Sequence, residues 1–258
     1  MIHRAPACGL ALAIAVFFSL ASASLLRSAV IVTRLAEPIV MGVDSSTDVP
    51  IDLNRDGTND FVFDKWAFQQ LGLDPLTGGA VIVRTEDARV APLNAGFRIG
   101  PTLALEETHW AGRSAISACA AFPTGVHCIG TFFGLDAYIG VEFPIDGQTH
   151  YGWIRLDHFL LAPGGRIIEW AYESTPGVPI YAGLKPVPVS ATEIARPGFL
   201  RLNWAAEIGR TYQVQSKEQL DAPAWSNLNF ALPATSTNIM VDLPMQADAQ
   251  FYRVIEVE

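Results

Sequence analysis

Short apolar runs, each about the length of a strand, alternate with Gly, Pro, Asn and Asp along most of the chain. IVTRL (31–35), FVFDKWAF (61–68), AVIVRT (80–85), AYIGVEF (137–143), HYGWIRLDHF (150–159) and RIIEWAYE (166–173) are rich in β-branched and aromatic residues, as are LRLNWAA (200–206), TYQVQS (211–216) and FYRVIEV (251–257). Polar and apolar positions alternate with period two inside these runs, and turn residues return roughly every eight to twelve positions, the pattern of an all-β sandwich or barrel. Helical periodicity is nearly absent. Tyr151 and Trp153 share one side of their run, and Ile168, Trp170 and Tyr172 share one side of the next. With the Pro163-Gly164-Gly165 turn between them, the two runs are expected to pair as adjacent antiparallel strands.

Between residues 183 and 198 the pattern breaks at Pro186, Pro188 and Pro197, which favour an extended linker or an edge strand. A new cycle of strands then runs from Phe199 to Val254. The expected fold is all-β: a larger antiparallel β-sandwich, jelly-roll-like, over residues 24–185, followed by a small fibronectin/Ig-like β-sandwich over 186–258. At 258 residues, half of them apolar, the chain has material for more than one core.

Residues 1–23 have a different texture. His3 and Arg4 precede an uncharged stretch from Leu10 to Leu20, and Ala21-Ser22-Ala23 follows, which predicts a signal peptide cleaved before Ser24. The apolar run is too short to span hydrocarbon, which takes about 20 residues. The mature chain is therefore expected to be secreted or held at the cell surface, with no transmembrane anchor. Cys8 leaves with the signal peptide, so Cys119 and Cys128 remain as an even pair flanking a Pro-Thr-Gly turn. Export predicts a disulfide between them, worth about 2 to 3 kcal/mol in the chain-entropy picture. Zinc, with His127 and His109 as further ligands, is the rival; the spacing lacks a C-x-x-C. A net charge of −9 with no basic run argues against nucleic acid and anionic membranes as partners.

One motif carries metal chemistry. Asp52, Asn54, Asp56 and Asp60 place side-chain oxygens at positions 1, 3, 5 and 9 of a loop, Gly57 holds position 6, and the Thr58 carbonyl supplies position 7. Calcium takes six to eight hard oxygen ligands, and this spacing lets a tight turn aim them inward. Position 12 is Phe63 rather than an acid, so Asp64, Asp44, Asp48 or water would have to complete the shell. A plain solvated turn is the competing reading. Catalytic motifs are absent: there is no G-x-S-x-G, H-E-x-x-H or Walker loop. The scattered candidates are His109, His127, His150, His158, Glu106, Glu107, Asp136, Glu142, Asp146, Asp157, Glu169 and Glu173. Glu142 and Glu169 would make a glycosidase-like carboxylate pair, with Trp110, Trp153, Trp170 and Tyr172 stacking on sugar, if the fold brought them together. Strand-borne aromatics are more simply core.

The block Tyr151-Gly152-Trp153-Ile154-Arg155-Leu156, followed by Trp170-Ala171-Tyr172-Glu173-Ser174-Thr175-Pro176-Gly177 and running on to Gly183, resembles the terminal block of exported, β-rich bacterial proteins associated with PEP-CTERM sorting tails. The early D-x-N-x-D-G-x-x-D-F loop belongs to the same pattern. No Pro-Glu-Pro signal, apolar span or Arg-rich end follows Gly183. Leu202 to Trp204, Gly209 to Ser216, Trp225 to Leu228 and Phe251 to Val254 instead resemble a small fibronectin-like module of exported Verrucomicrobia-type proteins, which implies a sorting or attachment role. The functional expectation is a non-catalytic exported structural or binding protein stabilised by calcium, with polysaccharide or cell-surface components as partners. A secreted carbohydrate-active protein is the alternative.

Overall fold

The computed structural model describes residues 30–42, 47–66, 70–103, 105–123, 125–193, 198–219, 225–228, 231–244 and 251–257. The expected signal peptide at 1–23 lies outside them. The described residues form an all-β protein of antiparallel sheets.

The first group of strands comprises β1 (Val30–Met41), β2 (Val49–Ile51), β3 (Phe61–Trp66), β4 (Gln70–Pro75), β5 (Ala80–Arg84), β6 (Arg98–Ile99) and β7 (Thr108–Ala111). It continues with β8 (Ser114–Phe122), β9 (Gly125–Gly130), β10 (Asp136–Ile145), β11 (Gln148–His158), β12 (Gly165–Glu173) and β13 (Ile180–Tyr181). A six-stranded sheet in the order β1-β12-β11-β10-β5-β7 faces a five-stranded sheet in the order β2-β3-β4-β8-β9. Phe61 and Phe63 of β3 and Leu71 and Leu73 of β4 meet Ile139, Val141 and Phe143 of β10 and Ile154 and Leu156 of β11 between the sheets. The outer face of the large sheet is also covered: Tyr138, Tyr151 and Trp153 pack with Ile82, Ile99 and Ile180. β6 and β13, which pair with each other, bring Ile99 and Ile180 there. β10 and β11 therefore bury apolar side chains on both faces, beyond the one-faced alternation their period of two predicted.

β11 and β12 pair antiparallel, and the glycine of Tyr151-Gly152-Trp153 has a packing reason. A Cβ on Gly152 would stand 2.7 Å from the Ala171 carbonyl oxygen, so the two backbones need glycine there. One expected side assignment is corrected. β11 pairs Arg155 with Glu169 and then Leu156 with Ile167, leaving Ile168 as the extra residue of a bulge. Ile167, rather than Ile168, therefore joins Trp170 and Tyr172 in the core between the sheets, because one inserted residue moves the following side chains to the other face.

The remaining strands are β14 (Lys185–Val187), β15 (Ser190–Glu193), β16 (Phe199–Ala205), β17 (Thr211–Lys217), β18 (Ser226–Asn227), β19 (Leu232–Pro233), β20 (Asn238–Pro244) and β21 (Phe251–Val257). They form one sheet ordered β14-β21-β17-β18, with β19 also on β17, and a second ordered β15-β16-β20. Leu202 and Trp204 from one sheet pack against Tyr212, Val214 and Val254 from the other. The Pro-rich stretch supplies β14, an edge strand on β21, where the missing amide of Pro186 is tolerated. Among the described residues no helix is long and apolar enough to cross a membrane.

Candidate functional site

The acidic loop joins β2 to β3, whose ends pair at Ile51 and Phe61. Two contacts fix its base. The Asp60 amide donates to the Ile51 carbonyl at 2.8 Å, and the Leu53 amide donates to Asp60 Oδ2 at 2.8 Å. Leu53 is buried in the core between the sheets and Asp60 is only 3% exposed, so hydrophobic burial anchors the loop from below. The segment from Arg55 to Asn59 is exposed.

Acidic and amide side chains wind the exposed turn around themselves. Asp52 Oδ1 accepts from the Asp56 amide at 3.2 Å and its Oδ2 from the Gly57 amide at 2.8 Å. Asn54 Oδ1 accepts from the Asp56 amide at 3.1 Å, and Asp56 Oδ1 from the Thr58 amide at 2.8 Å. These are the short-range side-chain to backbone bonds that Asn and Asp favour in turns. Gly57 sits at φ 92°, a left-handed conformation that carries little cost only without a Cβ. The sequence spacing thus becomes a turn with Asp52, Asn54, Asp56 and Thr58 over its exposed part and Asp60 beneath it.

Asp56 and Asp60 shift in opposite directions. The Thr58 amide, with the Asn54 side chain, holds Asp56 below the usual carboxylate range. Burial pushes Asp60 up to about 6, the negative charges of Asp52 and Asp56 add to it, and the Leu53 hydrogen bond opposes. Burial raises the Tyr172 phenol and the charges of Asp60 and Asp56 add to it, so the loop lies beside the end of β12. Its donor set is all oxygen, which is calcium chemistry rather than zinc chemistry. Among the described residues, however, no three carboxylate, imidazole or thiol side chains converge on one point, so any ion here must draw on Asn54, backbone oxygen and water as well. Asp64 is not the missing twelfth ligand. It lies on the face of β3 opposite the core residue Phe63 and is ion-paired to Arg113. Asp48 is exposed, and Asp44 lies outside the described residues.

Cys119 and Cys128 face each other across the β8–β9 hairpin and form a disulfide, which uses up the thiols that a zinc site would need. His109 lies on β7, with Nδ1 3.5 Å from Thr85 Oγ1.

The scattered catalytic candidates do not converge. Glu142 pairs across the sheet with Tyr151, whereas Glu169 pairs with Arg155, four residues further along β11 and one strand beyond. At a rise of about 3.3 Å per residue this separation exceeds about 13 Å, beyond the reach of a glycosidase pair. Glu169 is instead 2.6 Å from Lys185 Nζ. His150 and His158 are buried and bonded, the first to the Glu173 carbonyl at 2.9 Å, the second to Ser117 Oγ and the Phe159 carbonyl, each at 2.7 Å. Asp136 takes a two-pronged bond from Arg155, and Asp157 pairs with Arg166. Asp146 forms the β10–β11 turn at φ 51°, Glu173 accepts from the Thr175 amide, and Glu106 and Glu107 are exposed before β7. Trp153, Trp170 and Tyr172 are core residues, and Trp110 is half-buried against Tyr151.

Sequence reasoning missed a second charged cluster, where the two sandwiches meet. Glu169 of β12, Lys185 of β14 and Glu256 of β21 each have side chains about 5% exposed. Arg34 of β1 reaches both carboxylates, donating a short hydrogen bond to Glu256 and lying 4.0 Å from Glu169, and Arg210 lies 3.9 Å from Glu256. No local motif announces it, since Arg34 and Glu256 are 222 positions apart. Compared with known proteins, the chain matches no family model, no curated protein and no solved structure.

Proposed function

We propose that this chain is a non-catalytic, exported structural or binding protein of a bacterial exterior, in which the Asp52–Asp60 loop holds a structural calcium ion. The observation that carries the reading is the loop itself: three carboxylates and the Asn54 amide oxygen set on one nine-residue turn, with no Lys or Arg of the chain ion-paired to them among the described residues. Asp52, Asn54, Asp56, Thr58 and Asp60 would hold the ion, with water completing its shell. Bound calcium would neutralise the mutual repulsion of the acids and tie the β2–β3 turn down over the core. Extracellular modules hold calcium at about 10⁻⁴ to 10⁻³ M, and such affinity suffices where calcium is abundant. The N-terminal pattern at 1–23, the resemblance of the Tyr151–Gly183 block to PEP-CTERM-associated proteins and the disulfide support an exterior setting. Equilibrium dialysis tests the reading. One calcium ion should be retained per chain and lost in Asp56→Ala; no retained calcium, or equal retention by the variant, overturns it.

A further inference from the structure

The second sandwich carries an arginine whose charge no acid answers among the described residues. Arg253 of β21 lies opposite Gln215 of β17, and its Nε donates to Gln215 Oε1 at 2.8 Å. Its guanidinium lies over the Trp225 ring, 4.4 Å from the centroid, and Lys217 Nζ lies 5.1 Å from the same ring. No Asp or Glu forms an ion pair with it among the described residues; the Tyr181 phenol is the ionisable group it senses, and burial pulls its guanidinium below the ordinary arginine range. A partly desolvated cation without a counter-ion is costly unless an anion arrives from outside.

That arginine opens onto a cleft of about 620 Å³ between the two sandwiches. Pro179, Tyr181, Pro186, Pro188, Trp225 and Arg253 are among the residues that line it. The volume lies within the range of small-ligand sites. Because Nε is bonded to Gln215 and the guanidinium carbon sits 4.4 Å from the Trp225 ring centroid, Arg253 is held at two points, and its two terminal nitrogens form the fork that matches a carboxylate. The Tyr181 side, 39% exposed, and the proline rings offer flat surfaces suited to the C–H face of a sugar ring. Glu173, which also lines the cleft and is buried, would oppose a second negative charge in the ligand and favour hydroxyl donors.

We propose that this cleft binds a hydroxylated ring bearing a single carboxylate, the chemistry of an acidic sugar, with Arg253 taking the carboxylate and Tyr181 lying against the ring. The proposal does not depend on the calcium loop. Titration calorimetry of the mature chain with glucuronate, a short oligogalacturonate and glucose tests it. Uronates also bind calcium, so the titrations are repeated in chelator with the Asp56→Ala chain, where binding should persist even if the loop holds no ion. Glucuronate or the oligomer should bind; a preference for the oligomer over the monomer would make a polysaccharide the source. Glucose should bind at least tenfold more weakly. Arg253→Gln should weaken uronate binding about tenfold or more, and Tyr181→Ala, at an exposed rim position, several-fold with an unchanged melting temperature. Equal binding of glucose, no binding of either uronate, or uronate binding indifferent to both substitutions overturns the proposal.

Discussion

Two acidic clusters in this protein use the same chemistry and reach opposite electrostatic ends. Glu169 and Glu256 are buried where the two sandwiches meet, and the chain supplies their cations, with Lys185 Nζ 2.6 Å from Glu169 and Arg34 bonded to Glu256. Asp52, Asp56 and Asp60 share one turn with no ion-paired Lys or Arg among the described residues, and burial, with the neighbouring acids adding to it, pushes Asp60 up to about 6. A buried carboxylate must find a positive partner or take up a proton. The first cluster finds its partner inside the chain; the second leaves the role open to a cation from solvent. Long-range packing makes the first, and a local turn makes the second.

The largest expected effect breaks the first cluster. Lys185→Met removes the ammonium that contacts Glu169 and leaves the two buried carboxylates to the longer-range arginines Arg155 and Arg210 and to Arg34. Loss of one partner of a buried pair costs about 3 to 5 kcal/mol. Urea unfolding should show that loss equally in calcium and in chelator. A loss below about 1 kcal/mol would mean that the buried acids do not rely on this internal cation.

A smaller effect sharpens the contrast through pH. The folded-state value of Asp60 is raised from 3.8 to about 6. Its contribution to stability is therefore fully present below about 4 and is lost as pH rises through about 6, because the unfolded chain ionises first. In chelator, the melting temperature of the native chain should fall relative to Asp60→Asn between pH 4 and 7. His158 acts in the opposite sense, since burial lowers its value and its contribution is lost as pH falls through the ordinary 6.5. Both chains carry it, so their difference isolates Asp60. Calcium should flatten that difference by favouring the carboxylate. Parallel pH curves in chelator would show that the loop acids are already neutralised.

The smallest effect concerns the backbone that presents those acids. Gly57→Ala places a Cβ at φ 92° and should cost about 1 kcal/mol, read by the same urea unfolding. The cost should grow in calcium, where the turn must also hold the ion; a cost unchanged by calcium would separate turn geometry from binding.

Much of this contrast was legible in the sequence on one side only. The oxygen spacing at Asp52, Asn54, Asp56 and Asp60 is local, and a glycine at position 6 marks the turn. The Cys119–Cys128 pair and the strand runs were legible for the same reason, since a hairpin and a period of two are short-range patterns. The partners of Glu169 were not legible, because Lys185 and Arg34 meet it only through the pairing of β1 with β12 and of β14 with β21. Nor was the bulge at Ile168, since an inserted residue leaves no mark in an apolar run. Trp153 and Trp170 read more simply as core than as a sugar platform, and the covering of both faces of the large sheet places both in the core.

The unfolding free energy measured against free calcium concentration tests the central contrast most directly. If the loop borrows its cation, stability should rise by about 1.4 kcal/mol per tenfold calcium above the dissociation constant. That slope should vanish in Asp56→Ala and persist in Lys185→Met. A native chain whose stability ignores calcium, or an Asp56→Ala chain with the same slope, would contradict the account.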